Sequence, residues 1–189
     1  MGQIANSKDL LMLLLYAKGK TGQVCEPIVG RTRLMKMVFL FDEEVRKKFD
    51  LDKVIPESVM PKFEAYDYGP FSAKVYDDLE FLVNIGFVEV APAEDNELLP
   101  DEEEEYGHWQ ALSGDEDRPY QERFLLTDLG RRYCEKMLKA QLTAQQWDIL
   151  EKFKNRCTSV ALHTLLKYVY ARYPDKITKS KIRDQVLGR

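Results

Sequence analysis

The stretch from Ser72 to Leu126 constrains the fold more than any other part of the chain. Ser72 can cap a helix of about Ala73 to Ile85, on which Val75, Leu79 and Leu82 recur at helical spacing and face inward. Gly86 stops that helix. Phe87-Val88-Glu89-Val90 then reads as one strand, and Gln121 to Leu126 reads as another after a long acidic run. A helix, a glycine, a strand, a loop and a strand must pack as a rod laid beside a two-stranded ribbon.

The flanking segments are helical. Asn6 or Ser7 can cap a first helix carrying Leu10, Leu11, Leu13, Leu14 and Leu15, apolar nearly all round and therefore interior. A second helix, about Arg31 to Phe49, places Leu34, Met37, Val38, Phe41 and Val45 on one face. Phe63 to Tyr68 reads as a short strand closed by Gly69-Pro70. Thr127 caps a further helix through Met137, and Thr143 with Gln146 forms a capping box for a helix to about Asn155. Thr158 or Ser159 opens another, with Leu162, Leu165, Leu166, Val169, Tyr170 and Tyr173 at helical spacing until Pro174. The expected fold is mainly α with a small antiparallel β-hairpin (α+β). A winged-helix-like core would span residues 1–140, with an acidic insertion at about 91–118. A C-terminal helical extension over 141–189 would pack on it.

The net charge of −4 conceals an uneven distribution. Eleven acids and one base lie between Ala91 and Arg118, leaving 27 bases against 21 acids elsewhere. A mildly basic body is compatible with nucleic acid without demanding it. The acids Asp42-Glu43-Glu44 and Asp77-Asp78-Glu80 are expected to face water. The longest apolar run, Leu10 to Ala17, is short of the ~20 residues of a membrane span, and the chain is expected to be cytoplasmic. Three widely spaced cysteines, Cys25, Cys134 and Cys157, form neither a disulfide framework nor a CxxC zinc site.

Motifs for catalysis are sparse. Gly19-Lys20-Thr21 has the end of a phosphate loop, but Leu14 stands where the upstream glycine belongs, so a helix stop is the reading. His108 lies in the acidic run and His163 beside an apolar helix face, neither next to a nucleophile in sequence. No enzymatic activity, cofactor or metal is expected.

Two runs resemble a known family. Arg33-Leu34-Met35-Lys36-Met37-Val38-Phe39-Leu40-Phe41 resembles the "L-x-K-L-x-Y/F-L" helix of the Panacea domain of SocA-like antitoxins, and is similar to YwgA-type bacterial and archaeal proteins. Ala65-Tyr66-Asp67-Tyr68-Gly69-Pro70-Phe71-Ser72, followed by Val75-Tyr76 and Asp78-Leu79, looks like their "Y-G-P-x-S…V-Y-x-x-L" turn and helix. Phe124-Leu125-Leu126-Thr127-Asp128-Leu129-Gly130 resembles a strand-to-helix junction of winged-helix proteins. The resemblance covers roughly residues 8 to 138. It implies a compact helical fold with a small sheet, no known enzymatic activity, and a role exerted through protein contact.

Two functions follow. A winged-helix regulator linked to DNA would use Arg31, Arg33, Lys36 and Lys74, with Lys179, Lys181 and Arg183 in the tail, on phosphates. A protein-binding adaptor or antitoxin-like module would meet a partner, such as a toxin or defence protein, at the turn Tyr66, Tyr68, Gly69, Pro70, Phe71 and Ser72. Against DNA stand Asp77, Asp78 and Glu80 on the presumed recognition helix. A homodimer through the C-terminal helices and the absence of membrane contact complete the expectations.

Overall fold

A computed structural model describes residues 4–94, 97 and 121–188. His108 and nearly all of the acidic insertion lie outside the described residues. Mainly helical, with small antiparallel sheets, the fold buries its first helix, α1 (Ser7–Tyr16), at the centre. Asn6 opens α1 by accepting the Asp9 N–H through its side chain at 3.0 Å. Every side chain from Leu10 to Tyr16 is buried, the destiny of a helix with no polar face.

After β1 (Ile28–Val29), Gly30 at φ +91° turns the chain into α2 (Arg31–Leu40). This helix widens into a π-helical turn over Phe41–Arg46, so the expected single helix to Phe49 changes form midway. There the side chain of Arg46 is turned inward, bonding Asp42 at 2.6 Å and the Ile55 carbonyl at 3.3 Å. The run expected as one strand is instead a hairpin, β2 (Glu64–Tyr66) and β3 (Gly69–Phe71), with Tyr66 opposite Gly69. Gly69 holds φ +83° and a Cβ there would come within 2.8 Å of the Tyr170 ring, so glycine is needed twice over.

Next come α3 (Ala73–Asn84), β4 (Val88–Pro92), β5 (Glu122–Leu126) and α4 (Asp128–Tyr133). Ser72 stands at the start of α3 but makes no capping bond with its side chain, whereas Thr127 accepts the Gly130 N–H at 3.1 Å. β4 pairs antiparallel with β5 from Val88 opposite Leu126 to Pro92 opposite Glu122. The short β1 joins the far side of β5, giving the order β1–β5–β4. Past Tyr133 the chain continues in a π-helical turn over Cys134–Leu138.

The C-terminal part comprises α5 (Ala144–Thr158), α6 (Leu162–Arg172) and α7 (Arg183–Leu187). The Thr143–Gln146 capping box opens α5. Thr158 belongs to α5 and Ser159 caps its C-terminus, so α6 starts later than its Ser and Thr residues suggested. Leu150, Phe153, Cys157, Leu165, Leu166, Val169 and Tyr170 are buried in the same cluster as α1 and α2. Those apolar faces are turned into the molecule's own core. None of the helices is long and apolar enough to cross a membrane, among the described residues.

One core lysine carries a pH prediction. Lys36 is 2% exposed and its amine donates to a single acceptor, the Pro70 carbonyl at 2.8 Å. Burial pulls its pKa from 10.5 to about 7. Above pH 7 the folded chain therefore carries this amine neutral while the unfolded chain still protonates it. Stability should rise as pH climbs from about 7 toward 10.5, and the full cost of the buried charge should remain below 7. Lys36→Met should reduce that slope, leaving the part due to the equally buried Lys154, and add about 1–4 kcal/mol at neutral pH. Urea titrations across this range check it, and an unchanged slope would count against a depressed Lys36.

Candidate partner-binding surfaces

The cations expected to meet phosphates are mostly committed elsewhere. Arg33, 4% exposed, donates to the Val160 carbonyl at 2.8 Å and to that of Cys157, closing the C-terminus of α5. With Lys36 buried under the hairpin, neither side chain can reach a surface ligand. That corrects the reading of Arg33 and Lys36 as phosphate contacts: both sit on the core face of α2. Arg31 stays half-buried at the surface, bonded to Glu122 at 2.6 Å. Lys74 is bonded to Asp78 at 3.1 Å, and Lys181 to Asp67 at 2.6 Å. Lys179 and Arg183 are exposed.

Asp78 departs from the expectation too. Rather than facing water it is buried between α1 and α3, where it accepts from Ser7, from Lys8 at 3.0 Å and from Lys74. Burial pushes its carboxyl up, but these three donors outweigh that and hold it below its ordinary value. Asp77 and Glu80 remain on the exposed side of α3.

The Tyr66–Ser72 turn divides into a buried part and an outer part. Gly69, Pro70 and Ser72 are buried, with Gly69 against Tyr170 and the Pro70 carbonyl over Lys36. Tyr68 is half-buried. On the outside Tyr66 stacks on Phe71 with centroids 4.8 Å apart, and Phe71 meets Tyr76 edge-on at 5.4 Å. The Arg31 guanidinium lies 5.8 Å from the Tyr76 ring. Thus the structure brings Arg31, Tyr66 and Phe71 onto one surface ladder through Tyr76, which was not among the expected site residues.

A larger feature lies between the π-helical turn of α2 and the helices α5 and α6. This half-open cleft encloses about 1160 Å³. One wall carries Glu44, which accepts the Tyr168 hydroxyl at 2.8 Å and the Tyr173 hydroxyl at 2.7 Å. Burial first, and then the Glu44 carboxylate, raise both phenols above their ordinary pKa, so they stay protonated donors. Arg156 and Arg172 line the opposite helices, and among the described residues neither has a carboxylate within ion-pair range. Phe49 and Tyr168 expose their rings at the cleft, 42% and 47% accessible. Phe41–Arg46 hold π geometry here, a departure that often marks functional positions. Nothing in the sequence pattern flagged this cleft, because Glu44 and Tyr168 stand 124 residues apart.

Nucleophiles are scarce at these surfaces. Cys157 lines the cleft, but burial pushes its thiol up to about 12, leaving no thiolate at neutral pH. Cys134 is buried, with its thiol likewise raised to about 12 by burial. The Gly19–Thr21 loop holds the protein's own Glu26 carboxylate, which accepts from the Gly19 N–H at 3.1 Å and the Thr21 N–H at 2.9 Å. Among the described residues no cluster of His, Cys, Asp and Glu could hold a metal ion. Comparison with family models, with curated proteins and with solved structures finds no match to this chain.

Proposed function

We propose that this chain is a non-enzymatic protein-binding module of winged-helix type, whose α2–α5–α6 cleft receives an acidic, partly apolar segment of a partner protein. The order α1–β1–α2–α3–β4–β5, interrupted by the β2–β3 hairpin between α2 and α3 and with β1 beside β5, supports the winged-helix part. The observation that carries the binding part is that Arg156 and Arg172, which form no ion pair among the described residues, line the cleft together with the exposed rings of Phe49 and Tyr168, although Glu43, Glu44, Asp148 and Glu151 line it as well. A guanidinium matches a carboxylate geometrically, and an aromatic ring offers apolar area at little entropic cost. A cleft this open leaves a small molecule half in water, whereas a chain segment fills its length. The Panacea-like runs point the same way, toward action by protein contact.

DNA contact is the second reading, and one observation favours it: the Tyr66–Phe71–Tyr76 ladder flanked by Arg31 offers a stacking surface for bases. It ranks second because Asp77 and Glu80 occupy the exposed side of α3, where phosphates would be repelled.

An array of short acidic peptides with interspersed apolar residues separates the two. Wild-type protein should bind a subset, and Arg156→Glu combined with Arg172→Glu should weaken those interactions about tenfold or more, ~1.4 kcal/mol. Binding that ignores this double substitution overturns the cleft proposal. Random duplex DNA bound with a steep salt dependence, and lost on Arg31→Ala, would put the second reading first.

A further inference from the structure

We infer that the surface shared by α3 and α4 pairs with the same surface of a second copy of this chain. Eight large apolar side chains stand out as exposed among the described residues, and four of them are on or directly after these two helices: Phe81 at 47%, Ile85, the C-cap of α3, at 41%, Leu129 at 53% and Met137, in the π-helical turn after α4, at 56%. The helical repeat lines up Phe81 with Ile85 on α3, and Leu129 with Tyr133 and Met137 on α4 and its π-helical continuation.

Three sets of contacts make the two rows one face. The end of α3 is locked to the start of α4, since the Thr127 hydroxyl donates to the Gly86 carbonyl at 2.6 Å and the Thr127 N–H to the Phe87 carbonyl at 3.1 Å. The Phe87 ring packs on Tyr133 with centroids 5.1 Å apart. Consecutive residues at the start of α1 touch both rows, with the Lys8 amine 4.9 Å from the Phe81 centroid and Asp9 accepting the Tyr133 hydroxyl at 3.0 Å.

The charges beside these rows identify the occupant. Along α3 the exposed acids Asp77 and Glu80 have no basic partner, and along α4 the exposed bases Arg132 and Lys136 have no acidic one, among the described residues. Lys74 on α3 is paired with Asp78, and Asp128 and Glu135 on α4 and its continuation with Arg131, so the charges left over are acidic on α3 and basic on α4. A two-fold axis that lays α3 of one copy against α4 of the other puts Phe81 and Ile85 on Leu129 and Met137, and acids on bases, twice over. The alternative that lays α3 on α3 juxtaposes like charges, so electrostatics selects the first orientation. A monomer seldom leaves such an apolar row in water. This face is separate from the α2–α5–α6 cleft, so it stands or falls independently of the binding proposal.

Sedimentation velocity over a concentration series at low salt tests the inference on the full chain. The wild type should form a dimer with a concentration-dependent melt, and Leu129→Glu should return it to a folded monomer whose melt is cooperative and independent of concentration, because Leu129 is exposed. Glu80→Lys and Lys136→Glu should each weaken the dimer about tenfold or more. Mixing these two variants should restore a heterodimer. The lysine introduced in one copy then faces the glutamate introduced in the other, and the native Glu80–Lys136 pair survives once. A wild type that stays monomeric overturns the inference. So does a dimer that neither Leu129→Glu nor the charge reversals disturb.

Discussion

Lys154→Met should cost about 3–5 kcal/mol in a urea titration, the range for stranding buried polar partners. Lys154 is completely buried, and its amine donates to three backbone carbonyls: Leu15 at 3.1 Å, Ala17 at 2.7 Å and Glu26 at 2.6 Å. Leu15 lies in the last turn of α1 and Ala17 is its C-cap, where carbonyls have no partner within the helix. A cation placed there also meets the negative end of the helix dipole. The third carbonyl begins the approach to β1. One side chain from α5 therefore finishes α1, fixes the following loop and ties the C-terminal helices to the centre of the core. Methionine fills the volume but donates nothing, so three acceptors lose their donor at once, each worth about 1–3 kcal/mol if left dry. Lys36→Met is expected to act in the opposite direction, because it strands one carbonyl and removes a charge that nothing else solvates. Two buried lysines, each with a pKa drawn down to about 7 by burial, thus differ in the sign of the same substitution. A loss below about 1 kcal/mol for Lys154→Met would mean that water replaces the amine at that junction.

Gly130→Ala is the second large effect. In an exposed helix interior this substitution stabilises by about 1 kcal/mol. Here a Cβ would lie 2.1 Å from the Phe87 carbonyl oxygen and 3.0 Å from its carbon. Both are backbone atoms, so no rotamer relieves the clash and α4 must move away from the start of β4. That movement would break the Thr127 bonds to Gly86 and Phe87. A cost of about 3 kcal/mol is expected, at the upper end for overpacking. In a chain of this size that corresponds to a drop of roughly 6–12 °C in Tm. A melting point unchanged by Gly130→Ala would show that the helix is free to shift, and would also weaken the rigid α3–α4 face on which self-association depends.

The elements legible in the sequence are those written by near neighbours. Asn6, Thr127 and the Thr143–Gln146 pair open their helices because an oxygen and an N–H two or three residues apart are bound to meet. The apolar spacing of Val75, Leu79 and Leu82 likewise marks the buried side of α3. The same rule misled at Ser159, which caps the end of a helix rather than the start of the next. At Tyr66–Gly69 it read one strand where a reversal makes two. β1 was not legible at all, since a strand of two residues acquires its meaning only from β5.

What the chain alone determined is the set of helices, their apolar faces and the uneven distribution of charge. What only the tertiary structure decided is where each charge ends up. Arg33 and Lys36 look like surface cations by composition, yet Arg33 closes a helix end 124 residues away and Lys36 is covered by the Pro70 carbonyl. Asp78 looks like a solvated acid and is the bond between α1 and α3, while Glu44 becomes the wall of a cleft. The reason is range. Capping and periodicity act over four residues or fewer, but whether a charged group is desolvated or open to a partner depends on carbonyls, hydroxyls and carboxylates that folding alone carries to its side.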